Sequence, residues 1–280
     1  MDTYCVFGHP IEHSKSPWIH ARFAQLTGQT LQYHKTLVPL DDFANTVHAF
    51  RANGGKGCNV TLPFKTEAAA LATRCSPRVS LAQACNTLKF EGGDIYGENT
   101  DGLGLVTDLV GNAGCALQGK SVLLIGAGGA AAGVLGPLLS EKPRSLWVVN
   151  RTVDKATQLV QRHAALAHAE GVDCQAFGLQ HEAVHSQSFD VVINASSSSL
   201  HQGELPVPAS VLSAQGMACD LMYGPAAQRF MQWATAHGAV ARDGLGMLVE
   251  QAAESFQLWR GVRPPTGPVL AHLRALLTQT

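Results

Sequence analysis

The 280-residue sequence predicts an α/β protein of two units, and three observations carry that expectation. Short apolar runs alternate with stretches whose apolar residues recur at helical intervals, the pattern of strands joined through crossover helices. One intervening turn, Gly126-Ala127-Gly128-Gly129-Ala130-Ala131, is rich in glycine and stands between the apolar run Ser121–Ile125 and a small-residue stretch reaching Leu139. The segment after Gly238 carries helical patterns without strands, so it is expected to return to the first unit rather than fold alone.

The expected first segment is 1–102. Residues 3–7 read as a strand, 17–27 as a helix, 31–38 as a strand and 40–52 as a helix with apolar residues at helical spacing. Ser16 before Pro17 has the form of an ordinary helix entrance, a hydroxyl N-cap with proline in the first turn. Residues 57–60 form a short buried strand, Pro63 a turn, and a helix follows from Phe64; Thr87–Glu91 and 95–98 flank Gly92-Gly93-Asp94 as a hairpin. In the second unit, 103–238, a helix to Val110 precedes strands ending at Ile125 and Asn150, a long helix over 153–168, and strands at 174–177, Phe189–Asn194 and 217–220. Those strands suffice for one parallel sheet. The remainder, 239–280, is read as helices over 244–259 and 268–277, without internal repeats anywhere in the chain.

Composition narrows the function classes. With 46% hydrophobic and 15% charged residues and a formal net charge of −1, the chain has no global attraction to nucleic acid or to an anionic membrane, and small molecules are the expected partners. Residues 122–139 are uncharged and contain Gly129-x-x-x-Gly133, but five glycines, Pro137 and the close brackets Lys120 and Glu141 argue against a membrane span. The seven scattered cysteines include no C-x-x-C pair, so neither a disulfide framework nor zinc is expected. The first residues lack the basic region and long apolar core of a secretory signal, so a cytoplasmic location is expected. His181 and His185 stand four apart with no acidic third ligand, which reads as surface histidines rather than a metal site.

The glycine turn carries the first chemical signal. Glycines let a backbone approach a pyrophosphate, whose charge meets the first N–H groups and the positive end of the following helix. The next strand ends not in an acidic residue but in Asn150-Arg151-Thr152, and a guanidinium there favours a 2′-phosphate, hence NADP over NAD. Elsewhere, hydroxyls, amides and a lysine cluster at Ser14-Lys-Ser16, Asn59-Val-Thr61-Leu-Pro63-Phe-Lys65, Ala84-Cys-Asn86-Thr87 and Gly97-Glu-Asn99-Thr100-Asp101-Gly102. Singly, each is explained as a helix entrance, a strand end with a solvated lysine, or a set of turn formers.

In order along the chain, these clusters, the glycine turn, Asp220-x-x-Tyr223-Gly-Pro225 and Asp243-Gly-Leu-Gly246-Met247-Leu-Val-Glu-Gln251-Ala-Ala-Glu254-Ser-Phe make the sequence resemble the shikimate dehydrogenase family over essentially its full length. The resemblance implies an N-terminal α/β substrate-binding and catalytic domain completed by the C-terminal helices, plus a Rossmann-type NADP-binding domain. It implies an enzyme of aromatic amino-acid biosynthesis that reversibly reduces 3-dehydroshikimate to shikimate, found as monomer or homodimer. Ser14, Ser16, Thr61, Asn86, Asp101, Gln251 and Tyr223 match groups that hold the substrate, and Lys65 and Asp101 match the catalytic pair. Gly126, Ala127, Gly128, Gly129 and Ala130 match the pyrophosphate turn, and Asn150, Arg151 and Thr152 the 2′-phosphate site. Asn194, Ala195, Leu221, Gly244 and Met247 match further cofactor contacts, Met247 beside the nicotinamide. Two departures stand out: Ser196-Ser-Ser-Ser199-Leu200 replaces the family's usual Thr-Ser-x-Gly-Met beside the cofactor, and Ala21 replaces an asparagine often found there. Rival readings are a broader relative acting on quinate with NAD or NADP, and a non-catalytic sensor of nucleotide and metabolite. Retention of both Lys65 and Asp101 speaks against the sensor, because a binding module needs no proton donor.

Overall fold

In the computed structural model, which describes residues 1–196 and 207–278, the chain divides into two compact units, Met1–Gly104 with Leu248–Thr280, and Leu105–Met247. In order, the elements are β1 (Asp2–Gly8), α1 (Ser16–Thr27), β2 (Leu31–Leu37), α2 (Phe43–Ala52), β3 (Gly55–Val60), α3 (Lys65–Leu71), β4 (Arg74–Cys75), α4 (Pro77–Ala82), β5 (Thr87–Glu91) and β6 (Asp94–Glu98). Next come α5 (Asp101–Val106), a π-helical turn (Thr107–Asn112), β7 (Ser121–Ile125), α6 (Gly129–Ser140), β8 (Ser145–Asn150), α7 (Val153–Glu170), β9 (Asp173–Gly178), α8 (Glu182–His185) and β10 (Phe189–Asn194). The chain closes with β11 (Leu212–Asp220), α9 (Gln228–Ala236), β12 (Val240–Arg242), α10 (Leu245–Arg260) and α11 (Gly267–Thr278).

The first unit is built on a mixed sheet in the order β2-β1-β3-β5-β6-β4. Strands β2, β1 and β3 run parallel, and β5 reverses direction against β3 before turning into the β6 hairpin. One cluster packs Phe7 of β1 and Val60 of β3 against Phe43 and Phe64, whose rings stack 5.0 Å apart. Another places Tyr4, Tyr33 and Trp259 together, with His20 stacked 4.2 Å from Tyr33. Trp259 on α10 also donates its indole N–H to the Leu88 carbonyl at 3.0 Å, fastening that helix to the sheet of its own unit.

The second unit carries an all-parallel sheet in the order β12-β11-β10-β7-β8-β9. All five residues of β7 are buried, as a central strand covered on both faces requires. The strand order reverses between β7 and β10, and the crevice outside the carboxyl ends of strands at such a switch point is where open α/β sheets bind ligands.

Several expectations are corrected. Helix α2 begins at Phe43 rather than Leu40, because Asp42 closes a turn on the Pro39 carbonyl at 3.2 Å and leaves Leu40 exposed. Ser16 is not an N-cap: Lys15 holds that place, and the Ser16 N–H donates to the Ser14 hydroxyl at 3.3 Å. Helix α4 is unexpected, although Ser76-Pro77 gives it a hydroxyl cap accepting from the Val79 N–H at 3.2 Å. Strand β11 starts five residues before Met217; Gln215, at φ +60°, breaks its alternation. The segment after 238 does contain a strand, since β12 pairs with β11, so the break expected at 238/239 falls at Met247/Leu248 instead.

Candidate active site

In the first unit the polar clusters converge at strand ends and helix starts. Lys65 opens α3, Asp101 opens α5, and the Lys65 ammonium donates to Asp101 Oδ2 at 2.5 Å, with side chains 14% and 7% exposed. Asn86, just before β5, donates from Nδ2 to Asp101 Oδ1 at 2.8 Å, to the Thr100 hydroxyl at 2.9 Å and to Gln251 Oε1 at 3.2 Å. Gln251 is held in turn by its Nε2, which donates to the Leu248 carbonyl at 2.8 Å. Four predicted residues far apart in sequence therefore form one connected group. Thr61 follows β3, its N–H donating to the Phe7 carbonyl at 2.9 Å, and its methyl lies so close to Gly8 that a Cβ there would meet it at 2.5 Å. Ser14 and Ser16 meet at the entrance of α1, with Ser16 buried. These two serines and Thr61 stand outside the hydrogen-bonded group that Lys65 and Asp101 share with Asn86 and Gln251.

Behind that group lies a layer of buried polar side chains; Asn59, Thr87 and Ser255 stand within the sequence clusters but carry no assigned role there. Asn59 Nδ2 donates to Ser255 Oγ at 2.9 Å, to Thr87 Oγ1 at 3.0 Å and to the Asn86 carbonyl at 3.2 Å. The Tyr33 phenol donates to Asn59 Oδ1 at 2.7 Å. Burial pushes that phenol well above its ordinary pKa, while the neighbouring Ser16 hydroxyl works in the opposite direction. His20, stacked on Tyr33, is fully enclosed, and among the described residues neither ring nitrogen makes a hydrogen bond although Asn59 approaches it. Burial pulls its pKa down to about 3. The available signal for this layer is a polar Asn59 closing an apolar strand.

In the second unit the glycine turn joins β7 to α6. Gly126 has φ +112°, and a Cβ on it would lie 3.0 Å from the Ala195 backbone, so this position requires glycine. Among the described residues a Cβ on Gly128, the N-cap of the 12-residue helix α6, would meet nothing within 4 Å, so there is open space beside the start of the helix. Ala127, Gly129 and Ala130 complete the turn and first helical positions, and none is fully buried. Arg151 is exposed beside the entrance of α7, where Thr152 is the N-cap and Asn150 Nδ2 donates to the Thr152 carbonyl at 2.9 Å. The pieces fit a dinucleotide phosphate: open helical N–H groups for the pyrophosphate, and a solvent-facing guanidinium for a further phosphate.

Across the switch point, Asn194 Nδ2 donates to buried Asp220 at 2.9 Å, and the Leu221 N–H donates to the Asn194 carbonyl at 3.0 Å. The Met222 N–H donates to Asp220 Oδ1 at 2.8 Å, and a Cβ on Gly244 would lie 2.2 Å from the Leu221 carbonyl oxygen. The predicted residues Asn194, Ala195, Leu221 and Gly244 thus lie on adjoining strand ends and loops of this unit. Tyr223 is half-buried, and burial raises its phenol pKa; Met247 is buried at 8% exposure. Ser196 is held against Asn194 Oδ1 by its hydroxyl at 2.7 Å, whereas Ser199 and Leu200 of the noted departure lie outside the described residues. Among the described residues no three His, Cys, Asp or Glu side chains gather as a metal site, and no helix is long and apolar enough to cross a membrane. His181 is an exposed N-cap, and a His185 ring nitrogen lies 2.8 Å from the Leu179 carbonyl.

A parallel sheet with an open glycine turn at its switch point, in a chain that also holds a lysine–carboxylate pair among amides, has the features of a dinucleotide-dependent α/β oxidoreductase. Three family profiles match in order: "Shikimate dehydrogenase substrate binding domain" at residues 6–88, "Shikimate / quinate 5-dehydrogenase" at 108–203 and "Shikimate 5'-dehydrogenase C-terminal domain" at 244–274. The chain is 62% identical to a protein of Acidovorax sp. (strain JS42) named shikimate dehydrogenase (NADP(+)), over 99% of this chain and 97% of that one. Its fold is similar to an Ael1 enzyme from Pseudomonas putida (46% identity, TM-score 0.89, covering 98% of each chain). It is also similar to shikimate 5-dehydrogenase from Thermus thermophilus in complex with NADP(H) and shikimate (30% identity, TM-score 0.83, covering 98% and 99%). The chain belongs to the shikimate dehydrogenase family.

Proposed function

We propose that the protein catalyses the reversible, NADP-dependent reduction of 3-dehydroshikimate to shikimate, with Lys65 and Asp101 as the catalytic pair. The observation that carries this reading is the Lys65–Asp101 contact at 2.5 Å, held by Asn86, which Gln251 meets in turn, in a chain 62% identical to a named NADP-dependent shikimate dehydrogenase. The nicotinamide supplies hydride exchange with the substrate carbon. The protein then has one proton and one developing oxyanion to manage. In the reducing direction the Lys65 ammonium gives its proton to the carbonyl oxygen as negative charge builds there, and in the oxidising direction the amine takes it back. Asp101 Oδ2 aims the ammonium, and Asn86 holds the other carboxylate oxygen so that the pair keeps one geometry.

Around that pair, Ser14, Ser16, Thr61, Asn86, Gln251 and Tyr223 are the proposed holders of the substrate's hydroxyls and carboxylate. Gly126 to Ala130 would take the pyrophosphate on backbone N–H groups, and Arg151 with Asn150 and Thr152 the 2′-phosphate. Asn194, Ala195, Leu221, Gly244 and Met247 are the proposed remaining cofactor contacts. The cytoplasm is the proposed compartment, because the seven cysteines are all unpaired. The test is direct: purified protein given 3-dehydroshikimate and NADPH is expected to consume NADPH and to yield shikimate, identified by mass and retention. A protein that binds both compounds without converting them would remove the catalytic roles of Lys65 and Asp101.

A further inference from the structure

The two carboxamides behind the proposed catalytic pair have a fixed orientation, which two backbone groups set. The Thr100 N–H donates to Asn86 Oδ1 at 2.8 Å, so the Asn86 NH2 must face Asp101. The Asn86 carbonyl accepts from Asn59 Nδ2 at 3.2 Å, so the Asn59 NH2 must face Thr87 and Ser255 and its oxygen must face Tyr33. Thr87 Oγ1 accepts from Asn59 and donates to Asn86 Oδ1 at 3.0 Å; it also meets Ser255 Oγ at 2.8 Å, where either hydroxyl can donate, and the Ser255 hydroxyl has a second acceptor in the Gln251 carbonyl at 3.1 Å. A flipped Asn86 would turn its carbonyl oxygen onto the Asp101 carboxylate and lose the Thr100 and Thr87 donors together.

We propose that Tyr33, Asn59, Thr87 and Ser255 are positioning residues that lock the orientation of the Asn86 carboxamide, and through it hold Asp101 in register with Lys65. This rests on the reading of Lys65 and Asp101 given above. The four residues come from β2, β3, β5 and α10, so the array also ties the aim of the pair to the packing of α10 in the first unit. Thr87 and Ser255 are fully enclosed and Asn59 is 6% exposed, so water does not replace a lost partner readily. The central member is Thr87, the one side chain that links Asn59 directly to the Asn86 amide oxygen.

The test uses Thr87→Val, which keeps the shape of the side chain and removes the hydroxyl, and Thr87→Ser, which restores it. Two quantities are read: kcat for shikimate oxidation, and hydrogen exchange of the Asn86 side-chain NH2 in 15N-asparagine-labelled protein without substrate. One buried hydrogen bond corresponds to about a tenfold effect. Thr87→Val is therefore expected to lower kcat about tenfold and to speed exchange of the Asn86 amide by a similar factor, with Thr87→Ser close to the parent in both. An Asn86 amide as protected in Thr87→Val as in the parent overturns the array, as does a Thr87→Ser variant as impaired as Thr87→Val. A parent protein that does not oxidise shikimate overturns the functional reading alone, because amide exchange still decides the array. Should Thr87→Val not fold, Ser255→Ala carries the same measurement, with a smaller expected change of about threefold.

Discussion

The two units prepare for their proposed ligands with different parts of the chain. In the first, the chemistry sits in side chains buried in a continuous hydrogen-bonded group from Tyr33 through Asn59, Thr87 and Asn86 to Asp101 and Lys65. In the second, the proposed phosphate cradle is backbone: a glycine at φ +112°, open space beside Gly128, and the start of a helix. A side-chain site is broken by deleting one functional group, whereas a backbone site is broken by adding a Cβ or removing the one charge that discriminates between ligands.

The sharpest way to break the first half of that contrast is Lys65→Ala. Loss of a proton donor that acts in the transition state is expected to lower kcat by about 10²- to 10⁴-fold while leaving KM within a few-fold, as steady-state kinetics would show. A large rise in KM with unchanged turnover would make Lys65 a binding residue. The second unit does contain one decisive side-chain pair, and its role is structural. Asp108 is fully buried and grips Arg242 through two hydrogen bonds, Nε to Oδ2 at 2.6 Å and Nη2 to Oδ1 at 2.5 Å, while a Cβ on Gly246 would lie 1.8 Å from Asp108 Oδ1. Asp108→Ala is expected to cost about 3 to 5 kcal/mol in urea unfolding.

Smaller effects sharpen the comparison further. Arg151→Ala is expected to raise KM for NADP+ by about 10- to 100-fold with little change for NAD+, because charge-assisted bonds to the extra phosphate are lost. Equal losses for both nucleotides would remove Arg151 from the 2′-phosphate site. His20 tests how tightly the first unit seals its interior. Burial holds this ring neutral in the folded protein, with a pKa near 3 against 6.5 for the free side chain. The unfolded chain therefore binds the extra proton between those values, and stability is fully present above about pH 6.5 and falls as the pH drops towards 3. Between pH 7 and pH 5 the expected loss from this residue is about 2 kcal/mol. His20→Phe should remove that part of the slope in paired urea titrations.

The same contrast governs what the sequence disclosed. The glycine turn was legible because a backbone site constrains residue type at consecutive positions, and the charge of Arg151 in Asn150-Arg151-Thr152 is what points to the proposed 2′-phosphate site there. Lys65, Asn86, Asp101 and Gln251 were visible as polar residues in ordered motifs, but nothing in their spacing says that Asn86 touches Asp101 and Gln251 at once. Such contacts depend on strand order, and β3 pairs with β5 rather than with its sequence neighbour. Asn59 and Ser255 were harder still, because a buried polar residue is indistinguishable in sequence from an exposed one. Strand β12 escaped notice for a related reason: three residues are too few to show alternation, and its pairing with β11 decides its state. Helix α4 was missed even though Ser76-Pro77 repeats the entrance signal of Ser16-Pro17, and of the two only Ser76 caps with its hydroxyl.

The most direct measurement is the initial rate of reduced-nicotinamide formation with shikimate or quinate, each crossed with NADP+ or NAD+. Fast turnover confined to shikimate with NADP+ is the result expected from the Lys65–Asp101 pair and from Arg151. Comparable rates with quinate or with NAD+ would contradict the assigned specificity, and the absence of turnover with every pair would contradict the catalytic account itself.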